Sequence, residues 1–216
     1  MHKLLEGLRR KRPQKPDVRI PITLEMLKKL ICALHSVCFS NYEKCLFASA
    51  FSLAFFAMLR VSELTVPNKS KQKDHALNIE DLLFKQSPSN QEELHVILRS
   101  SKTDQKSNSV TLILGAQSDR NICPISLLKS YLKVRFSGTD SSNKLYVHFE
   151  GSSLTRYQFC SVLQKCLGFC EIPFHVRSHS FRIGRATDMA KNGISEEQIK
   201  LCGRWKSQSY LRYIRL

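Results

Sequence analysis

The run from Leu46 to Leu59 is apolar apart from two serines, and it is flanked by Glu43 and Lys44 on one side and by Arg60 on the other. A segment that is apolar on most helical faces has two homes, the hydrocarbon of a bilayer or the middle of a protein with other elements packed around it. Spanning a bilayer takes about 20 consecutive apolar residues, and this run is shorter. It is therefore expected to be a buried helix, from about Asn41 to Leu59, with the rest of the chain supplying its cover. The chain has 216 residues and is 42% hydrophobic, enough for one main domain, and a membrane partner is not expected.

The covering elements can be read on both sides. Pro21 and Thr23 announce a helix whose first turn Thr23 can cap, with Leu24, Leu27, Leu30, Ile31 and Leu34 on one stripe. Between about 77 and 115 the period shortens: "LHVILRSSKT" and "SVTLIL" alternate around a polar turn, "DQKSN". This predicts a hairpin in a small sheet that also includes "ALNIEDLLF". From Pro124 the helical period returns with Leu127, Leu128, Tyr131 and Leu132 on one side, whereas "KLYVHF" reads as strand or loop. Further helices are predicted at about 155–169, 181–191, 195–202 and 207–215. Ser195 and Gln198 have capping-box spacing, and Gly193 suits a helix C-terminus. The fold class is mainly α with a small antiparallel β-sheet (α+β).

Thirty-four Lys and Arg face 18 Asp and Glu, a formal net charge of +16. Such an excess asks for a polyanion. Residues 1–19, with the basic run Arg9 to Arg12 and then Pro13, Lys15 and Pro16, read as a charged linker from an N-terminal region, and 20–216 as the domain. No secretory leader opens the chain, so a reducing compartment is expected. The eight cysteines show no framework spacing and read as small core residues. Cys32, His35 and Cys38 share one predicted helical face, but without a fourth ligand they are a weak metal candidate.

Four separated segments carry residues with chemical potential. In "FFAMLRVSEL", Arg60 follows the buried helix and Glu63 lies three residues on; alone, an i,i+3 ion pair accounts for both. In "RSSKTDQ", Lys102 sits at the predicted hairpin tip, where a solvated lysine is the plain alternative. In "HSFRIGRATDMAKNGIS", His179 and Arg182 bring a proton-exchanging imidazole beside a permanent cation. In "CGRWKSQSYLRYIRL", Trp205, Tyr210 and Tyr213 would by default be packing residues.

Taken together, and in this order, the four segments resemble the tyrosine recombinase, or phage integrase, family. "HSFRIGRATDMAKNGISEEQIKLCGRW…YIR" is similar to that family's second conserved box, "LRVSEL" to its first and "SKT" to its hairpin lysine. The resemblance covers about residues 20–216 and has the flavour of eukaryotic mobile-element recombinases of the DIRS, Ngaro and Crypton type. It implies the tyrosine recombinase catalytic-domain fold. It also implies phosphate binding by Arg60, His179 and Arg182, a leaving-oxygen contact by Lys102, a phosphate hydrogen bond from Trp205, nucleophilic attack by Tyr213 and a supporting place for Glu63. Met58 stands where the first box has a small residue, and Trp205 where many members have His.

These residue types suit the chemistry. Attack on a phosphodiester gathers negative charge on the non-bridging oxygens, which guanidiniums, an imidazole and an indole N–H can meet. A phenol ionises near pH 10, so it needs cations around it and a base, for which His179 is the candidate; Lys102 is the candidate acid for the 5′ oxygen. The function expected is DNA strand cleavage and rejoining, in recombination or integration of a mobile element, on double-stranded DNA as a homo-oligomer. No metal or other cofactor is expected, and a nuclear location is. A DNA-binding module that keeps the fold without recombining remains the alternative, and a relaxing topoisomerase is a third reading.

Overall fold

The apolar run does become a helix, α2 (Asn41–Phe56), and every residue from Leu46 to Phe56 is buried. In the computed structural model, which describes residues 17–67, 74–99, 109–136, 142–172 and 175–216, three helices pack against it. These are α1 (Leu24–Val37), α4 (Pro124–Arg135) and α6 (Ser180–Lys191). A fourth, α5 (Arg156–Phe169), lies on α1. Aromatic rings join the layers: Phe51 meets Phe159 edge-on at 5.3 Å and Phe181 in a tilted pair at 5.5 Å between ring centroids. Among the described residues no helix is long and apolar enough to cross a membrane.

Local signals start the helices where the sequence suggests. Thr23 Oγ1 accepts the Met26 N–H at 3.1 Å, Ser40 Oγ accepts that of Glu43 at 3.1 Å, and Pro124 occupies the first turn of α4. Thr155 and Gln158 form a reciprocal capping box on α5. Ser195 Oγ accepts the Gln198 N–H at 3.3 Å at the start of α7 (Glu196–Gly203).

The three-stranded antiparallel sheet runs in the order β1 (Leu82–Gln86), β2 (Glu92–Leu98), β3 (Val110–Gly115). Leu94, Val96 and Leu98 alternate inward, and Val96 stands opposite Leu82 and Leu112, so one face closes on the core. The final pair of the β2–β3 ladder is Leu98 opposite Val110. The segment carrying Lys102 and the predicted turn lies outside the described residues.

Some expectations need correcting. The central helix stops at Phe56 and not at Leu59, because Met58 takes a left-handed backbone (φ 46°) that ends it. The last element is a 3-10 helix over Gln208–Tyr213, shorter and tighter than the helix predicted to 215. "ALNIEDLLF" contributes β1 only from Leu82, since Ile79–Asp81 form a 3-10 turn. The stretch "KLYVHF" makes isolated bridges only, Lys144 with Asn78 and Val147 with Ser153. Only Cys123 and Cys166 are fully buried, while Cys32 and Cys202 are exposed, so the thiols are not uniformly core residues. Among the described residues, no three His, Cys, Asp or Glu side chains gather as a metal site.

Candidate active site

Two helix ends build the floor of the site. At the end of α2 the Met58 N–H reaches the Phe55 carbonyl and the Leu59 N–H reaches that of Ala54. At the end of α7 the Arg204 N–H reaches Leu201 and the Trp205 N–H reaches Lys200. Both are Schellman closures, whose left-handed residue is usually glycine; here it is Met58 at φ 46° and Arg204 at φ 58°. The unusual choice at Met58 has a packing reason, because its side chain is buried with Ala186, Met189, Ile199 and Tyr210.

The Met58 carbonyl then collects cations. It accepts from Arg182 Nη1 and, at 3.3 Å, from Arg204 Nη2. Arg182 Nη2 donates to the Gly203 carbonyl at 2.9 Å, so both terminal nitrogens of this 1% exposed side chain hold backbone at the two helix ends. Glu63 follows Arg60, which caps the short helix α3 (Val61–Leu64), and its carboxylate is 2% exposed. It accepts Arg60 Nη1 at 3.1 Å, the Arg60 backbone N–H at 2.8 Å and Arg204 Nη2 at 2.8 Å. Two guanidiniums thus share one carboxylate, whose charge also acts on the nearby Arg182. Burial, then the neighbouring arginines, lower the pKa of Arg182, and burial first also lowers that of Arg204. Arg182 Nε and Arg204 Nε and Nη1 are buried with no hydrogen-bond partner among the described residues, donors left unsatisfied inside the site.

Tyr213 closes over this cluster. Its ring lies 4.6 Å from that of Trp205 and 5.0 Å from that of His179, with the Arg182 guanidinium 5.6 Å from its centroid and 5.0 Å from the indole. The indole rests on Gly203, where an added Cβ would sit 1.8 Å from it. The backbone around Tyr213 is pinned to α6, since Thr187 Oγ1 donates to the Tyr213 carbonyl at 3.2 Å and accepts the Arg215 N–H at 3.0 Å.

His179 immediately precedes α6, its side chain making no capping hydrogen bond, and is half-buried beside Tyr213 and Arg182. Burial first, then the Arg182 charge, push its pKa down to about 4, so the imidazole is neutral near pH 7 and able to accept a proton. Tyr210, three residues before Tyr213, is 1% exposed in a small core cluster. The Glu196 carboxylate beside its hydroxyl pushes that phenol up to about 12.

A cleft of about 770 Å³ opens beside Tyr213, lined by Arg60, Arg204, Trp205, Tyr213, Leu98 and Val110 among others. The structure therefore brings together Arg60, Glu63, His179, Arg182, Trp205 and Tyr213. Lys102 lies outside the described residues, though Leu98 and Val110, which bracket its segment, border the cleft. Sequence reasoning missed Arg204, because a residue 141 positions from Glu63 shows no spacing signal. It also missed Asp17, which holds Arg19 at 2.8 Å and Arg215 at 3.0 Å and so ties the first described residues to the last.

No family model matches the sequence, and no curated protein matches it. Solved structures do. The XerA recombinase superposes with a TM-score of 0.65 at 19% identity, covering 91% of this chain and 60% of that one. The XerH site-specific recombinase in a post-cleavage complex with palindromic difH substrate gives 0.64 at 16%, covering 91% and 49%. A lambda integrase dimer bound to a COC′ core site gives 0.61 at 14%, covering 94% and 49%. The chain spans about half to three-fifths of the length of these proteins. Its helices and three-stranded sheet have the fold of the tyrosine recombinase catalytic domain.

Proposed function

We propose that this chain cleaves and rejoins double-stranded DNA through a covalent 3′-phosphotyrosyl link at Tyr213. The observation that carries this reading is the position of Tyr213: a phenol from the end of the chain touching His179 and Trp205 and lying over the Arg182 guanidinium. Tyr213 Oη attacks the phosphorus, its proton passing to neutral His179, while the bond from phosphorus to the 5′ oxygen breaks and Lys102 protonates the departing oxygen. Arg60, Arg182 and the Trp205 indole N–H meet the charge gathering on the phosphate, where loss of one donor commonly costs on the order of 100-fold in rate. The broken bond's energy stays in the phosphotyrosine, so a second DNA end can reverse the step, and the scheme uses neither metal nor cofactor.

The similar solved structures, captured on a palindromic difH substrate and on a COC′ core site, and the formal charge of +16 support a DNA substrate. Mobile-element recombination and assembly as a homo-oligomer on DNA belong to the same proposal and rest on the sequence motifs, and nuclear action rests on the DNA substrate and the basic run Arg9 to Arg12. One observation favours the alternative of a binding module without strand exchange: both Arg182 terminal nitrogens are engaged by backbone carbonyls. A nicked suicide duplex separates the two. An adduct that disappears in Tyr213→Phe and persists in Tyr210→Phe is expected; DNA binding with no adduct in the unaltered protein would leave the module.

A further inference from the structure

Glu63 serves two guanidiniums, and the way it divides its oxygens decides what Arg60 can offer the cleft. Arginine and carboxylate in contact tend to form two parallel N–H···O bonds. Here Oε2 is occupied by Arg204 Nη2 at 2.8 Å and the Arg60 backbone N–H at 2.8 Å. The Arg60 side chain meets Glu63 through Nη1 alone, at 3.1 Å. Its Nε and Nη2 have no hydrogen-bond partner among the described residues, and the side chain, 23% exposed, lines the cleft.

Nothing local favours an arginine at 204. The backbone there is left-handed, which a non-glycine residue adopts at a cost. Burial and the Arg60 charge both work against its cation, and two of its nitrogens are unpartnered. Its gains are the bond to Glu63 at 2.8 Å and a longer one to the Met58 carbonyl at 3.3 Å.

We propose that Arg204 is a positioning residue of the anion site, occupying Glu63 Oε2 so that Arg60 cannot close a two-pronged pair with that carboxylate and keeps its Nε–Nη2 edge for a phosphate oxygen. The inference rests on the cleft being a phosphodiester site and concerns how that site is kept open. Without Arg204, Glu63 draws Arg60 into a closed pair, and the anion loses a guanidinium that is still present in the sequence.

A double-mutant cycle on the full chain tests this, with inorganic phosphate as the probe and its affinity read from the rise in melting temperature on titration. R60Q removes the component of that rise due to the cleft. R204Q is expected to weaken the same component on the order of tenfold, as expected for one lost charged hydrogen-bonding group. The R60Q/R204Q pair should be no weaker than R60Q alone, and R204K should restore part of the loss. Single-turnover cleavage of the suicide duplex should follow the same non-additive pattern. A merely structural role would lower the melting temperature without phosphate and leave the phosphate-dependent rise intact. Additive losses, an unchanged rise in folded R204Q, or no cleft component in the unaltered protein would each overturn the proposal. Should R204Q not fold, R204K with R60Q completes the cycle. Absence of a DNA adduct in the unaltered protein sinks the cleavage reading, while the phosphate cycle still decides the role of Arg204.

Discussion

At the scale of residues, the imidazole of His179 makes a prediction with a definite sign. Its folded pKa, about 4, lies below the ordinary value of 6.5, because burial and the Arg182 cation disfavour its charged form. Between those two values the unfolded chain binds more protons than the folded one, so the contribution is fully present above pH 6.5 and is lost as pH falls towards 4. Discounted for partial exposure, it amounts to roughly 1–2 kcal/mol. Urea melts of the unaltered protein and of His179→Gln should show this slope between pH 6.5 and 4 only when the histidine is present; equal slopes would mean the ring is not held neutral. The sequence marked His179 and Arg182 as neighbours from their spacing. It did not show that both Arg182 terminal nitrogens face carbonyls, because those belong to Met58 and Gly203, 124 and 21 positions away.

At the scale of elements, what matters is how the 3-10 helix bearing Tyr213 is fixed. Thr187 on α6 holds it through one donated and one accepted hydrogen bond, and Arg215 beyond it reaches Asp17. Thr187→Val keeps the shape and removes both bonds, at about 1 kcal/mol each. Amide exchange over residues 208–215 is expected to quicken several-fold or more while α2 and α5 stay protected; unchanged exchange there would show that packing alone fixes the segment. Capping residues and apolar period made most of these elements readable in advance, since caps act within four residues. The end of α2 was misjudged for the opposite reason. Met58 is apolar and continues the pattern, and only its burial with Ala186, Met189, Ile199 and Tyr210 makes a left-handed turn worth its strain.

At the scale of the whole molecule, the formal charge of +16 predicts how binding responds to salt. If six or more phosphates are neutralised, affinity for double-stranded DNA should fall about 1,000-fold between 50 and 200 mM salt, with a steep linear dependence of log K on log salt. A nearly flat dependence in a fluorescence titration would remove the polyanion reading of the charge. That charge, the central helix and the antiparallel pairing of β2 with β3 were legible in the amino-acid sequence alone, because each depends on composition or on neighbours within a few positions. Tertiary structure alone decided that Tyr210 is buried in a small core cluster, that Arg204 joins Arg60 on one carboxylate, and that two left-handed helix ends share the Met58 carbonyl. The physical reason is range: periodicity and caps act over one or two turns of chain, whereas a cluster of like charges around Glu63 exists only once distant helix ends have been packed against one another.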